Sequence, residues 1–152
     1  MKFYLVLENI RYGRPEAGDE EVISAAKAAH VDHFIHTWPD GYKMIINEEI
    51  SNISQGQKQL LTIARAILAN PRILILDEAT ASVDSVSENI IQSAINKIMK
   101  DRTTIIIAHR LTTIVGVDKI LVFSDGKIVE EGGNKAFYEF MRDYGRDRFS
   151  RD

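Results

Sequence analysis

The hydrophobic positions change their period partway along the chain. Up to residue 70 they recur at helical spacing, and between residues 71 and 130 short apolar runs alternate with a helical segment. The helical signal is strongest after Ser54, because residues 54–57 (SQGQ) fit a capping box. The pattern predicts a helix that ends at Asn70 and Pro71. Its inner stripe consists of Leu60, Ile63, Ala64, Ile67 and Leu68.

Weaker helical signals precede this segment. Asp19 is a good N-cap for a helix whose apolar positions begin at Val22. A short helix is expected over residues 31–36, and residues 38–41 (WPDG) have the composition of a turn. Residues 14–70 are therefore expected to be mainly helical.

Strands are expected after Pro71. The branched apolar runs 72–76 and 103–108 are typical of strands that are buried on both faces. Between them, Ser85 and Glu88 fit a second capping box, and an apolar helix face follows it. Alternation of strands and helices predicts an α/β fold with a parallel sheet.

A hairpin is expected near the end of this region. The apolar segments 119–123 and 127–130 flank Asp125 and Gly126. An Asp-Gly pair between two such segments favours a two-residue turn of the primed kind. The segment from residue 135 onward is weakly helical and then charged.

Composition narrows the class of protein. The 152 residues fit one domain, and 45% hydrophobic with 27% charged residues is ordinary globular usage. The net charge of −3 lacks the basic footprint of a nucleic-acid binder, and the absence of cysteine excludes disulfides and thiol chemistry. No apolar run approaches the ~20 residues of a membrane helix, and no signal peptide is recognised at the start of the sequence.

Polar residues at two places could carry chemistry. The two apolar strands end in Asp77-Glu78 and near His109, and ligands of open α/β sheets bind at the carboxyl ends of strands. The alternative is that the two acids only cap the following loop. The helix that begins after Ser54 presents backbone N–H groups that favour an anion, although an ordinary capped helix has the same signature.

Taken in order, these segments resemble motifs of ATP-binding-cassette (ABC) ATPases. Residues 52–59 (NISQGQKQ) resemble the signature motif, and residues 73–80 (ILILDEAT) resemble the Walker B strand with its catalytic Glu. Residues 81–84 (ASVD) resemble the D-loop, and residues 104–111 (TIIIAHRL) resemble the switch-histidine strand. Residues 8–13 (ENIRYG) are similar to the stretch after the Q-loop of exporters.

The resemblance implies a role for each matching residue. Asp77 would hold Mg²⁺ through a water, Glu78 would polarise the attacking water, and His109 would contact the γ-phosphate. Ser54 and Gly56 would bind the γ-phosphate of an ATP molecule that the opposite subunit holds.

Further residues of the motifs follow the same logic. Gln55, which replaces the commoner Gly, and Gln57 complete the nucleotide-binding signature segment. Ser82 and Asp84 belong to the D-loop, and Asp84 would cross the dimer interface. The implied cofactors are ATP and Mg²⁺.

The resemblance also implies an organisation along the chain. It predicts part of a P-loop NTPase core, a parallel sheet with flanking helices, together with the ABC helical subdomain. Residues 1–13 would follow the Q-loop, 14–70 would form the helical subdomain, 71–132 the second half of the ATPase core and 133–152 a tail. The phosphate-loop pattern G-x-x-x-x-G-K-[ST] is absent from the sequence. We therefore expect the C-terminal part of a nucleotide-binding domain, without its Walker A half.

Such a part should leave unpaired strand edges and an open apolar layer, and should be poorly stable or prone to aggregate alone. The implied function is the ATP-binding and ATP-hydrolysing domain of an exporter, without competence as an ATPase by itself. The implied partners are a second nucleotide-binding domain and transmembrane domains, at the cytoplasmic side of the plasma membrane, with this chain alone cytosolic. No nucleic-acid partner is expected. The alternatives are a non-catalytic module that pairs with a complete domain, and a fragment of a soluble ABC ATPase outside transport.

Overall fold

The computed structural model describes residues 4–46, 53–77, 85–107 and 116–133, with only the backbone for residue 4 and for residues 85–87. The chain divides into two compact units, Met1–Ile105 and Ile106–Asp152. The elements in chain order are β1 (Tyr4–Leu5), α1 (Val6–Arg11), α2 (Asp19–Ala28), α3 (Asp32–Ile35), a 3-10 turn (Gly41–Lys43), β2 (Ile45–Ile46), α4 (Gln55–Ala69), β3 (Ile73–Asp77), α5 (Ser85–Met99), β4 (Thr103–Ile107), β5 (Ile120–Ser124) and β6 (Lys127–Gly132).

A helical core dominates the first unit. The apolar stripes expected for α2, α4 and α5 are buried, and α4 packs against α1, α2 and α5. This placement makes α4 the central helix of the unit. The largest fully buried side chains of the described residues are Ile10, Ile35, Leu60, Ile91, Val6, Val22 and Val31.

Helix α2 begins one residue away from the expected cap. Its N-cap is Gly18, so Asp19, the expected N-cap, lies in the first turn. The Gly18 N–H donates to Oε2 of Glu21 at 3.0 Å, which supplies the carboxylate half of a capping box. This hydrogen bond, reinforced by Arg14, holds the pKa of Glu21 below its ordinary value.

The sheet of β3 and β4 is the α/β feature that the sequence predicts. Strands β3 and β4 are hydrogen-bonded neighbours joined through α5, and form a parallel sheet with flanking helices. The expectation that both strands are buried on both faces is wrong for the described residues. Leu74 is buried, whereas Ile73 and Ile75 are 61% and 65% exposed and Ile105 is 52% exposed. Exposed residues alternate with more buried ones along both strands, so these isoleucines form an open apolar layer.

A second, smaller pairing lies at the start of the chain. Strand β1 pairs antiparallel with β2, with Tyr4 opposite Ile46 and Leu5 opposite Ile45. The Val6 N–H extends this pairing by donating to the Met44 carbonyl at 2.9 Å. Among the described helices, none combines the length and the hydrophobicity needed to cross a bilayer.

The described residues 116–133 of the second unit contain the predicted hairpin. Strands β5 and β6 are antiparallel, with Ser124 opposite Lys127 and an irregularity after Val122. Asp125 and Gly126 both have positive φ, 50° and 74°, as a primed two-residue turn requires. The sequence therefore located this turn correctly.

Candidate functional site

The first turn of α4 is built from the predicted capping box. Ser54 Oγ accepts from the Gln57 backbone N–H at 3.2 Å, and Gln57 Oε1 accepts from the Ser54 N–H at 3.1 Å. Ser54 and Gln55 are exposed, whereas Gly56 is buried. The reciprocal bonds fix the direction in which the helix starts.

This helix end has the chemistry of an anion site. The first N–H groups of a helix have no intrahelical acceptor, and the helix dipole adds partial positive charge there. Helix α4 has 15 residues, and its first turn carries no acidic side chain that would oppose an anion. The exposed residues Ser54 and Gln55 leave this end open to a phosphate.

Asp77 occupies the position that the sequence assigned to it. It is the last residue of β3, at the carboxyl end of a sheet strand, and is exposed. An exposed carboxylate at this place fits Mg²⁺, which prefers oxygen ligands and keeps most of its waters. The hydrogen bonds of the first turn of α4 join Ser54 to Gln57, and Asp77 takes no part in them.

The other predicted site residues lie outside the described residues. Glu78, Ser82 and Asp84 fall in the segment 78–84, and His109 falls in the segment 108–115. Their roles stay predictions from the sequence.

Arg65 anchors α4, and the sequence reasoning missed it. Its Nε donates to the Asn9 carbonyl at 2.8 Å, and its guanidinium also binds the Asn9 side chain. Burial lowers the pKa of Arg65. A Cβ on Gly13 would lie inside van der Waals contact with the Arg65 carbonyl oxygen, so the chain after α1 lies directly against α4. An arginine within an apolar helix was the signal that could have revealed this contact.

Arg11 holds the connection between α1 and α2 in place. It forms ion pairs with Glu8 at 3.1 Å and with Asp19, and also donates to the Ala17 carbonyl. The hydrogen bond to Asp19 raises the pKa of Arg11 most, and Glu8 adds to this effect. Residues 8–13, which resemble the stretch after the Q-loop, are thereby tied to both α2 and α4.

This α/β chain belongs to the ABC transporter family. The family described as "ABC transporter" matches residues 3–81, more than half of the 152 residues. The match covers helices α1 to α4, including the first turn of α4, and strand β3. The family resemblance deduced from residues 8–13, 52–59 and 73–80 is therefore confirmed.

Two curated relatives are named as an ABC transporter and an ATP-dependent flippase. The chain is 54% identical over 129 residues to a fatty acid ABC transporter ATP-binding/permease protein of Mycobacterium bovis, covering 85% of this chain and 20% of that protein. It is 48% identical over 134 residues to an ATP-dependent lipid A-core flippase of Chromobacterium violaceum, covering 88% and 23%. The chain thus spans about a fifth of the length of these curated relatives.

The fold comparison agrees with the sequence comparison. A solved structure of a bacterial Atm1-family ABC exporter with ATP bound matches with a TM-score of 0.77 and 40% identity. The match covers 91% of this chain and 24% of that chain. At this identity the likeness extends beyond the fold to the family.

Proposed function

We propose that this chain is the C-terminal part of the nucleotide-binding domain of an ABC exporter. The observation that carries the proposal is the first turn of α4, where Ser54 and Gln57 cap each other within a segment that resembles the signature motif. The exposed Asp77 at the end of β3 supports the proposal. In this function ATP binding and hydrolysis drive transport across a membrane.

Each site residue has the role of the matching residue in the family. The segment 54–57 binds the γ-phosphate of ATP held by an opposite domain, through backbone N–H groups and the Ser54 side chain. Asp77 would hold Mg²⁺, which would stabilise the charge of the phosphates, and Glu78 and His109 would position the attacking water and the γ-phosphate. Phosphoryl transfer depends on positioning and electrostatic stabilisation, so these groups act together.

The assembly follows from this division. One domain supplies the signature segment to the nucleotide of the other, so the partner is a second nucleotide-binding domain, which Asp84 contacts across the interface. Residues 14–70 form the helical subdomain, and residues 71–132 belong to the ATPase core. The relatives named as ATP-binding/permease proteins support transmembrane domains as further partners. In this assembly the chain lies at the cytoplasmic side of the membrane.

The test uses a variant that separates charge from folding. Ser54→Asp keeps a good N-cap, so α4 should remain stable, but it adds a negative charge where the phosphate would sit. We expect the full chain to bind a complete exporter nucleotide-binding domain in the presence of Mg-ATP, measured by sedimentation. Ser54→Asp should weaken this binding by about tenfold or more. The control Gly18→Asp adds the same charge at the N-cap of α2 and should have no effect.

Calorimetry with Mg-ATP then tests whether the chain binds ATP without a partner domain. We expect no saturable heat at millimolar ATP, because the phosphate-loop pattern is absent from these 152 residues. Saturable binding that Glu78→Gln alters would mean that the chain assembles a site without that loop. ATP-independent association with the complete domain, unaffected by Ser54→Asp, would contradict the proposed use of α4 and favour a non-catalytic interaction module.

A further inference from the structure

An open groove lies on the first unit, and its lining includes neither the first turn of α4 nor Asp77. It has a volume of about 510 Å³, and α2, α3 and α5 contribute its lining. This volume lies in the range of cavities that hold small molecules, about 300–1,000 Å³. The proposed nucleotide chemistry does not use any of the lining residues.

The floor of the groove is apolar. Phe34 of α3 and Ile90 of α5 both line it, and both pack against the hydrophobic core while remaining partly exposed. The ring of His33 meets Phe34 edge-on, with centroids 5.7 Å apart. This contact supports one wall of the groove.

The rim consists mainly of hydrogen-bond donors. Lys27 carries an ammonium group, and His30 and His33 each keep at least one N–H donor in every protonation state. Asn89 and Ser93 on α5 add an amide and a hydroxyl. A ligand that satisfies this rim must present acceptor oxygens.

The one carboxylate in the lining already has partners. Tyr42 donates its hydroxyl to Asp32 Oδ1 at 2.6 Å, and His36 Nε2 lies 3.5 Å from the same oxygen. Asp32 therefore has two partners outside the groove lining. Lys27 and the imidazoles are left to receive an anionic group.

We infer that this groove binds a small apolar carboxylate. Its carboxylate accepts hydrogen bonds from Lys27, His30 and His33, and its apolar body lies on Phe34 and Ile90. A peptide segment fits the groove less well, because about 510 Å³ accommodates a single small molecule. This binding is independent of the proposed function and requires neither ATP nor a partner domain.

The probe for the test is 4-phenylbutyrate, with the neutral amide of the same shape as its control. Titration of the ¹⁵N-labelled full chain should give saturable amide shifts in α2, α3 and the start of α5. The dissociation constant should be about 1 mM, the range expected of a ligand this small. The neutral amide should bind about tenfold more weakly or not at all, because it lacks the charge that Lys27 meets.

Paired variants locate the site. Lys27→Glu should weaken binding by about tenfold, whereas Lys97→Glu, an exposed lysine at the far end of α5, should leave it unchanged. Ser93→Trp should block the groove, whereas Gln92→Trp on the same helix should not. All four positions are exposed, and a circular-dichroism melt confirms that each variant is folded.

Three results would overturn the inference. Equal binding of the acid and the amide would show that no carboxylate site exists. Unchanged binding by Lys27→Glu and Ser93→Trp would place the ligand elsewhere. Loss of binding only in Ile75→Asp would show that the probe adsorbs to the open face of β3 and β4.

Discussion

At the scale of single residues, Tyr42 shows how one hydroxyl secures a turn. Its O–H donates to Asp32 at 2.6 Å, and its ring meets His36 edge-on at 6.1 Å. Burial first, and then the hydrogen bond to Asp32, raise the pKa of Tyr42. Tyr42→Phe removes the donor and should reduce the free energy of unfolding by about 1 kcal/mol at pH 7, measured by urea titration.

The sign of the pH dependence follows from the raised pKa of Tyr42. Its contribution is fully present below the unfolded pKa of 10.0 and is lost as the pH rises, because the unfolded chain ionises first. The difference in free energy of unfolding between the wild type and Tyr42→Phe should therefore decrease as the pH rises from 10.0 to the raised pKa of Tyr42 in the folded chain. The matched control is Tyr12→Phe, at a position that is 78% exposed. It should change neither the free energy of unfolding nor the dependence of that free energy on pH.

Gly13 tests the contact between the end of α1 and α4. A Cβ at this position would lie 3.0 Å from the Arg65 carbonyl carbon and closer still to its oxygen, and both atoms belong to a central helix. Gly13→Ala should therefore destabilise the chain by about 1–3 kcal/mol in urea unfolding. Gly18→Ala is the control, since its Cβ would meet only a Glu21 carboxylate oxygen at 3.9 Å. If Gly13→Ala and the wild type have the same free energy of unfolding, the end of α1 does not pack tightly against α4.

At the scale of elements, α4 depends on its cap. Ser54→Ala removes the acceptor of the Gln57 N–H and should cost about 1 kcal/mol of stability. Thr62→Ala on the same helix is the comparison, since Thr62 only bonds back to the Lys58 carbonyl and should be near neutral. A thermal melt of both variants measures the difference. A larger loss from Thr62→Ala would contradict the assigned role of the cap.

Elements with local signals were predictable. The ends of α4 follow from Ser54 and from Asn70, which has a left-handed φ of 49°, and the hairpin follows from Asp125 and Gly126. Helix α1 was not predicted, because its six residues gain their order from Arg65 and Arg11 rather than from their own pattern. The contact between Arg65 and Asn9 joins residues far apart in the sequence, and periodicity does not record it.

At the scale of the whole molecule, the burial of a strand depends on layers that its own sequence does not encode. The apolar runs of β3 and β4 correctly predicted strands but wrongly predicted cover on both faces. The same residue types occur on covered and open faces, so only the packing of other elements decides which is which. The candidate site shows a related difference: the sequence motifs single out Ser54 and Asp77, whereas the contact of Arg65 with Asn9 depends on how α1 packs on α4.

The open face of β3 and β4 predicts how the chain behaves in solution. Ile73, Ile75 and Ile105 are each more than half exposed, and contiguous apolar surface drives association. Ile75→Thr with Ile105→Thr keeps residues that suit strands but removes much of the apolar area. We expect sedimentation velocity to show self-association of the wild type, and an apparent dissociation constant raised about tenfold or more in the double variant. The control Ile45→Thr changes an isoleucine on β2 that is 50% exposed, and it should associate like the wild type. A wild type that stays monomeric as its concentration rises would show that this face does not drive association.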